Sequence, residues 1–103
     1  MVKVLTDDNF KEEIKEGIVV VDFYADWCMP CKMMAPVLEK ISEKVEDFKV
    51  MKLNTTDNPK MTAEYKIMML PSFAVYKEGE LIEIFTGARP EDDFISEVRN
   101  IVG

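Results

Sequence analysis

Histidine is absent from the 103 residues; cysteine occurs twice and tryptophan once. Without an imidazole there is no Cys-His pair for hydrolysis, so any general base must be a carboxylate or a lysine. Two thiols and no histidine also leave one chain short of the four ligands of a structural zinc site. No stretch approaches the roughly 20 apolar residues that span a bilayer, and Met1 to Asp8 contains no apolar signal core. A cytoplasmic protein is the resulting expectation. Positive charge is scarce as well: 13 Lys and Arg face 20 Asp and Glu, a net charge of -7. That balance argues against nucleic acid and anionic membrane as partners.

What remains is enough for one domain over residues 1–103, with 48% hydrophobic residues to fill a core. Val2 to Leu5 reads as a short first strand. Thr6 or Asp7 can cap a helix reaching about Glu16, with Phe10 and Ile14 inward and Gly17 ending it. The acidic residues Asp7, Asp8, Glu12, Glu13 and Glu16 read as a solvated face. Ile18 to Tyr24 is apolar on both parities, the mark of a central strand covered on both faces, and Asp22 interrupts it. From about Pro30 to Glu46 the residues Met34, Val37, Leu38, Ile41 and Val45 recur at helical spacing, and Pro36 should kink that helix. Lys49 to Asn54 is a third strand and Pro59 to Tyr65 a short helix. Ser72 to Tyr76 and Leu81 to Phe85 form a hairpin about Glu78-Gly79-Glu80. A last helix runs from about Pro90 to Val102. The order βαβαβαββα predicts an α/β fold, a mixed sheet with helices on both faces.

Both cysteines lie where the second strand gives way to the second helix, in Trp27-Cys28-Met29-Pro30-Cys31-Lys32. As a staple, a disulfide closing about four residues contributes only ~2 kcal/mol before strain, so chemistry explains the pair better. Cys28, at the helix N-terminus, has free N–H groups to stabilise a thiolate and suits the attacking role. Cys31, one turn in, suits the resolving role. Asp22, six residues before Cys28 and within an apolar strand, is the candidate proton partner for Cys31. Burial should hold its carboxyl partly protonated.

The stretch Val21 to Lys32, with Ala35-Pro36 following, resembles the active-site segment of the thioredoxin family. Lys52-Leu53-Asn54 with Asp57, Leu70-Pro71-Ser72-Phe73, Lys77-Glu78-Gly79 and Gly87 extend the resemblance from about Val2 to Val102. It implies the thioredoxin fold and a thiol–disulfide oxidoreductase needing no bound cofactor or metal, with a redox disulfide Cys28–Cys31. Asp22 would be the buried acid with Lys52 close to it. Trp27 would lie beside the active site, Pro30 would help set the redox potential, and Pro71 would be a cis-proline facing the disulfide. Leu70 would offer backbone hydrogen bonds to an extended substrate, and Gly87 would lie near the groove. The implied partners are a thioredoxin reductase-type electron donor and disulfide-containing target proteins, met by a monomer.

Methionine marks the departures. Met29 stands where the family usually has glycine, and Met69, preceded by Met68, where a small residue is frequent. If the two loops meet, Met29, Met68 and Met69 border Cys28 together and offer targets a flexible apolar rim. Alternatively Met69 packs inward and Met29 merely tolerates exposure. Three other functions compete with the reductant. A glutaredoxin-like enzyme usually has Pro-Tyr between its cysteines, and a disulfide-forming oxidant normally works outside the cytosol. A thioredoxin-fold binding module would leave both cysteines, Trp27, Asp22 and Pro71 unexplained.

Overall fold

The computed structural model describes all 103 residues. The chain forms β1 (Lys3–Leu5), α1 (Phe10–Glu13), β2 (Ile18–Tyr24), α2 (Met29–Lys44), β3 (Lys49–Asn54), α3 (Pro59–Glu64), β4 (Ser72–Lys77), β5 (Glu80–Thr86) and α4 (Glu91–Val102). The element order is the one read from the sequence. The five strands make one sheet in the order β1-β3-β2-β4-β5. β1, β3 and β2 run parallel, and β4 and β5 run antiparallel to their neighbours. β2 therefore has a strand on each edge, and its two faces enter separate apolar layers, as its two-sided apolar composition requires.

Alternation along the strands sorts the core into two layers. Val20, Val50, Phe73 and Val75 face α2 and α4, packing on Met34, Leu38, Ile41, Phe94, Ile95 and Val98. Val19, Val21, Phe23, Leu53, Ala74 and Tyr76 face the opposite way onto Phe10, Ile14 and Met61. Burying one such side chain contributes about 1.5–3 kcal/mol. No helix is long and apolar enough to cross a membrane.

Three expectations are corrected. The first helix is a single turn that starts at Phe10, not at Thr6 or Asp7. Thr6 N–H donates to Asn9 Oδ1 (2.7 Å) and Asn9 N–H to Thr6 Oγ1 (3.3 Å), so residues 6–9 close as a side-chain-bonded turn. Asp7 is no member of a solvated face: its carboxylate accepts from the Lys60 and Met61 N–H groups at 3.1 and 2.9 Å, capping α3 across the structure. Gly17 does not end α1; with φ of 70° it turns the chain into β2, where its carbonyl accepts from Glu78 N–H at 2.9 Å. That bond steadies the hairpin loop Glu78-Gly79, both with positive φ as the tightest hairpins demand. α2 continues through Pro36, whose missing N–H leaves the Lys32 carbonyl without its helical partner.

Candidate active site

The end of β2 and the start of α2 bring the two cysteines together. Cys28 is the N-cap of α2 with extended backbone, and Pro30 lies in the first turn. Cys28 and Cys31 are joined as a disulfide, with Cα atoms 5.2 Å apart. Cys31 N–H donates to Cys28 Sγ at 3.2 Å. One amide of the helix terminus is thus aimed at the Cys28 sulfur, where it can stabilise negative charge.

The two sulfurs serve different spaces. Cys28 lines an open groove of about 440 Å³ with Trp27, Met29, Pro30, Thr55, Thr62, Ile67, Met68 and Leu70. Cys31 lines a cavity of about 40 Å³, room for one water, with Val2, Asp22, Tyr24, Ala35, Leu38, Glu39 and Lys52. Cys31 also borders an adjoining cleft with Asp26 and Lys32. The structure places Cys28, expected to attack, at the groove and Cys31, expected to resolve, at the cavity.

Asp22 is 3% exposed, and its Oδ1 has no protein hydrogen-bond partner. Its register partner on β3 is Lys52. Burial pushes the Asp22 carboxyl up to about 7, with Lys52 as the weaker opposing pull. No direct ion pair forms; the Lys52 ammonium lies 5.8 Å from the centroid of the Tyr24 ring instead. Above the cavity, Glu39 accepts from Val2 N–H at 3.2 Å and draws the start of the chain over α2.

Leu70-Pro71 is a cis peptide bond, and Leu70 packs against the Ala25, Cys28 and Cys31 cluster. Pro71 is buried, and its carbonyl accepts from Gly87 N–H at 3.0 Å. Gly87, with φ of 96°, braces the cis-proline loop from behind and does not line the groove. Met29 and Met68 do line it, whereas Met69 is outside the lining yet 64% exposed, so it does not pack inward.

Sequence reasoning missed Thr55, Thr62 and Ile67, which complete the groove. Thr55 N–H and Oγ1 both donate to Tyr24 carbonyl, at 2.8 and 3.1 Å, clamping the loop after β3 onto the end of β2. Only Ile67, an apolar residue between a helix and a strand, carried any sequence signal of an exposed apolar site. Arg89 was missed too. It stacks 4.7 Å from the Phe85 ring centroid and donates to the carbonyls of Thr86 and Gly87, holding the glycine turn.

A disulfide between cysteines three positions apart at a helix N-terminus, one sulfur toward an apolar groove and one toward a buried acid, defines a thiol–disulfide oxidoreductase. The thioredoxin family model matches residues 1–100. A thioredoxin of Listeria monocytogenes is 42% identical over 101 residues, covering 97% of each chain. A thioredoxin of Bacillus subtilis is 40% identical over 88 residues, 84% of this chain and 85% of its own. One of Chlamydia trachomatis is 33% identical over 95 residues. The chain belongs to the thioredoxin family.

Proposed function

We propose that this chain is a cytoplasmic electron carrier, a monomeric single domain over residues 1–103, that reduces disulfides in other proteins and is recharged by a separate reductase. The observation that carries the reading is the asymmetric setting of the pair: Cys28 in the apolar groove, Cys31 at the Asp22 cavity. In the reduced protein the Cys28 thiolate attacks one sulfur of a target disulfide, whose other sulfur leaves as a thiolate and takes up a proton. Cys31, losing its proton to Asp22 with Lys52 alongside, then attacks Cys28 Sγ. The Cys28–Cys31 disulfide closes and the target departs as a dithiol, having gained two electrons. No cofactor or metal enters, because the dithiol carries both electrons. Trp27, Met29, Pro30 and Leu70 are the groove residues proposed to meet an extended target segment, with Pro71 and Gly87 shaping the loop behind it.

Reduction of insulin by dithiothreitol tests this directly. Added protein should accelerate it, Cys28→Ser should abolish the acceleration, and Cys31→Ser should stall as a mixed disulfide with the target. No acceleration by the intact protein would favour a binding module. Recharging by glutathione alone would favour the glutaredoxin-like reading. A redox titration of Cys28–Cys31 separates reductant from oxidant, a low potential being the expected outcome.

A further inference from the structure

The methionines divide by exposure. Met34, Met51 and Met61 are buried, while Met29, Met33, Met68 and Met69 stand in solvent around the cysteine end of the molecule. Met1, at the start of the chain, is the fifth exposed methionine; of the five, Met29 (69% exposed) and Met68 (90%) line the groove beside Cys28. We propose that Met29 and Met68 form a peroxide-responsive modification site that closes the groove to target proteins when their thioethers become sulfoxides. The proposal rests on the reading of the groove as the docking site for targets.

Peroxides oxidise a thiolate first and an accessible thioether next. In the disulfide state the cysteine pair presents no thiolate, so the exposed thioethers become the reactive sulfurs. The thioether sulfur attacks one peroxide oxygen and the O–O bond breaks. A sulfur–oxygen bond forms, sulfur gives up two electrons, and the remaining oxygen leaves as water or an alcohol after protonation. Each sulfoxide puts a strong hydrogen-bond acceptor where Trp27, Pro30, Ile67 and Leu70 otherwise present apolar surface. Docking of an apolar target segment then desolvates a polar group without a partner. The exchange chemistry is spared, because neither thioether takes part in it. A methionine sulfoxide reductase restores the groove.

The test treats the disulfide form with hydrogen peroxide, removes the excess, maps oxygen addition by peptide mass, and then reduces the cysteines with dithiothreitol. Met29 and Met68 should gain oxygen before Met34, Met51 and Met61. Complete burial of one methionine side chain is worth a decade or more of affinity, so two partly buried thioethers predict a rise of about tenfold in KM for insulin. The rate with a small-molecule disulfide should not change. A Met29→Leu/Met68→Leu double variant, compared with its own untreated form, should show no rise even though Met33 and Met69 are still oxidised. An equal rise in that variant, an unchanged KM in the parent protein, or a matching loss with the small disulfide overturns the proposal. Untreated protein inactive on insulin overturns the functional reading, and the docking consequence with it, whereas the order of oxidation is judged by mass alone.

Discussion

Asp22 is the residue at which the proposed proton transfer and stability meet. Its carboxyl ionises near 3.8 when solvated and at about 7 in the folded protein. The folded state therefore binds the extra proton between those values, so stability falls as pH rises from about 4 to 7 and stays low above. The shift corresponds to about 4 kcal/mol at pH 8. Asp22→Asn should recover much of that, and urea unfolding of the oxidised protein at a series of pH values should show the slope between pH 4 and 7 flatten. The same variant should slow target reduction, because Cys31 loses its proton acceptor; a variant as fast as the parent across pH 6 to 8 would remove Asp22 from the mechanism. Burial of this aspartate was legible in the sequence, since Phe23 and Tyr24 continue the apolar run beyond it. The role of Asp7 was not. A carboxylate before a helix reads as that helix's cap, and only the folded chain reveals that α3, more than fifty residues on, receives it.

At the scale of elements, α3 is short and depends on that distant cap. Six residues cannot sustain a helix by themselves, and α3 supplies both a core residue, Met61, and a groove residue, Thr62. Asp7→Ala should cost about 1 kcal/mol in unfolding free energy by denaturant titration. It should also raise KM for insulin, because the groove wall loosens, while a small disulfide is reduced at the parent rate. Equal losses for both substrates would show that the cap acts on the whole fold. β2 announced itself through apolarity on both parities, interrupted only at Asp22, and α2 through helical spacing. α1 did not, because the reciprocal Thr6–Asn9 hydrogen bonds that shorten it look, in sequence, like ordinary capping residues. The groove was half legible for a related reason: the cysteine loop carries a motif, whereas Thr55 and Thr62 are placed by hydrogen bonds from common polar residues.

Over the whole molecule, charge acts at longer range than any of these contacts. With a net charge of -7, encounter with a basic target should be accelerated at low ionic strength and fall as salt screens it, since the screening length is about 10 Å at 0.1 M. Stopped-flow reduction of a basic and an acidic protein disulfide over a salt series should give slopes of opposite sign; parallel slopes would show that the local groove, not net charge, governs encounter. The two-layer core follows from alternation that any strand displays. Part of the wall of the Asp22 cavity instead comes from Val2, a residue whose position near the start of the given sequence suggests nothing of the kind. Val2 is buried at the wall of that cavity and held through its amide by Glu39. Trimming residues 1–3 should flood the cavity and return Asp22 toward ordinary acidity. A purification handle or fluorophore therefore belongs at the exposed Gly103, because traction on the other terminus would retune the proton chemistry it was meant to report.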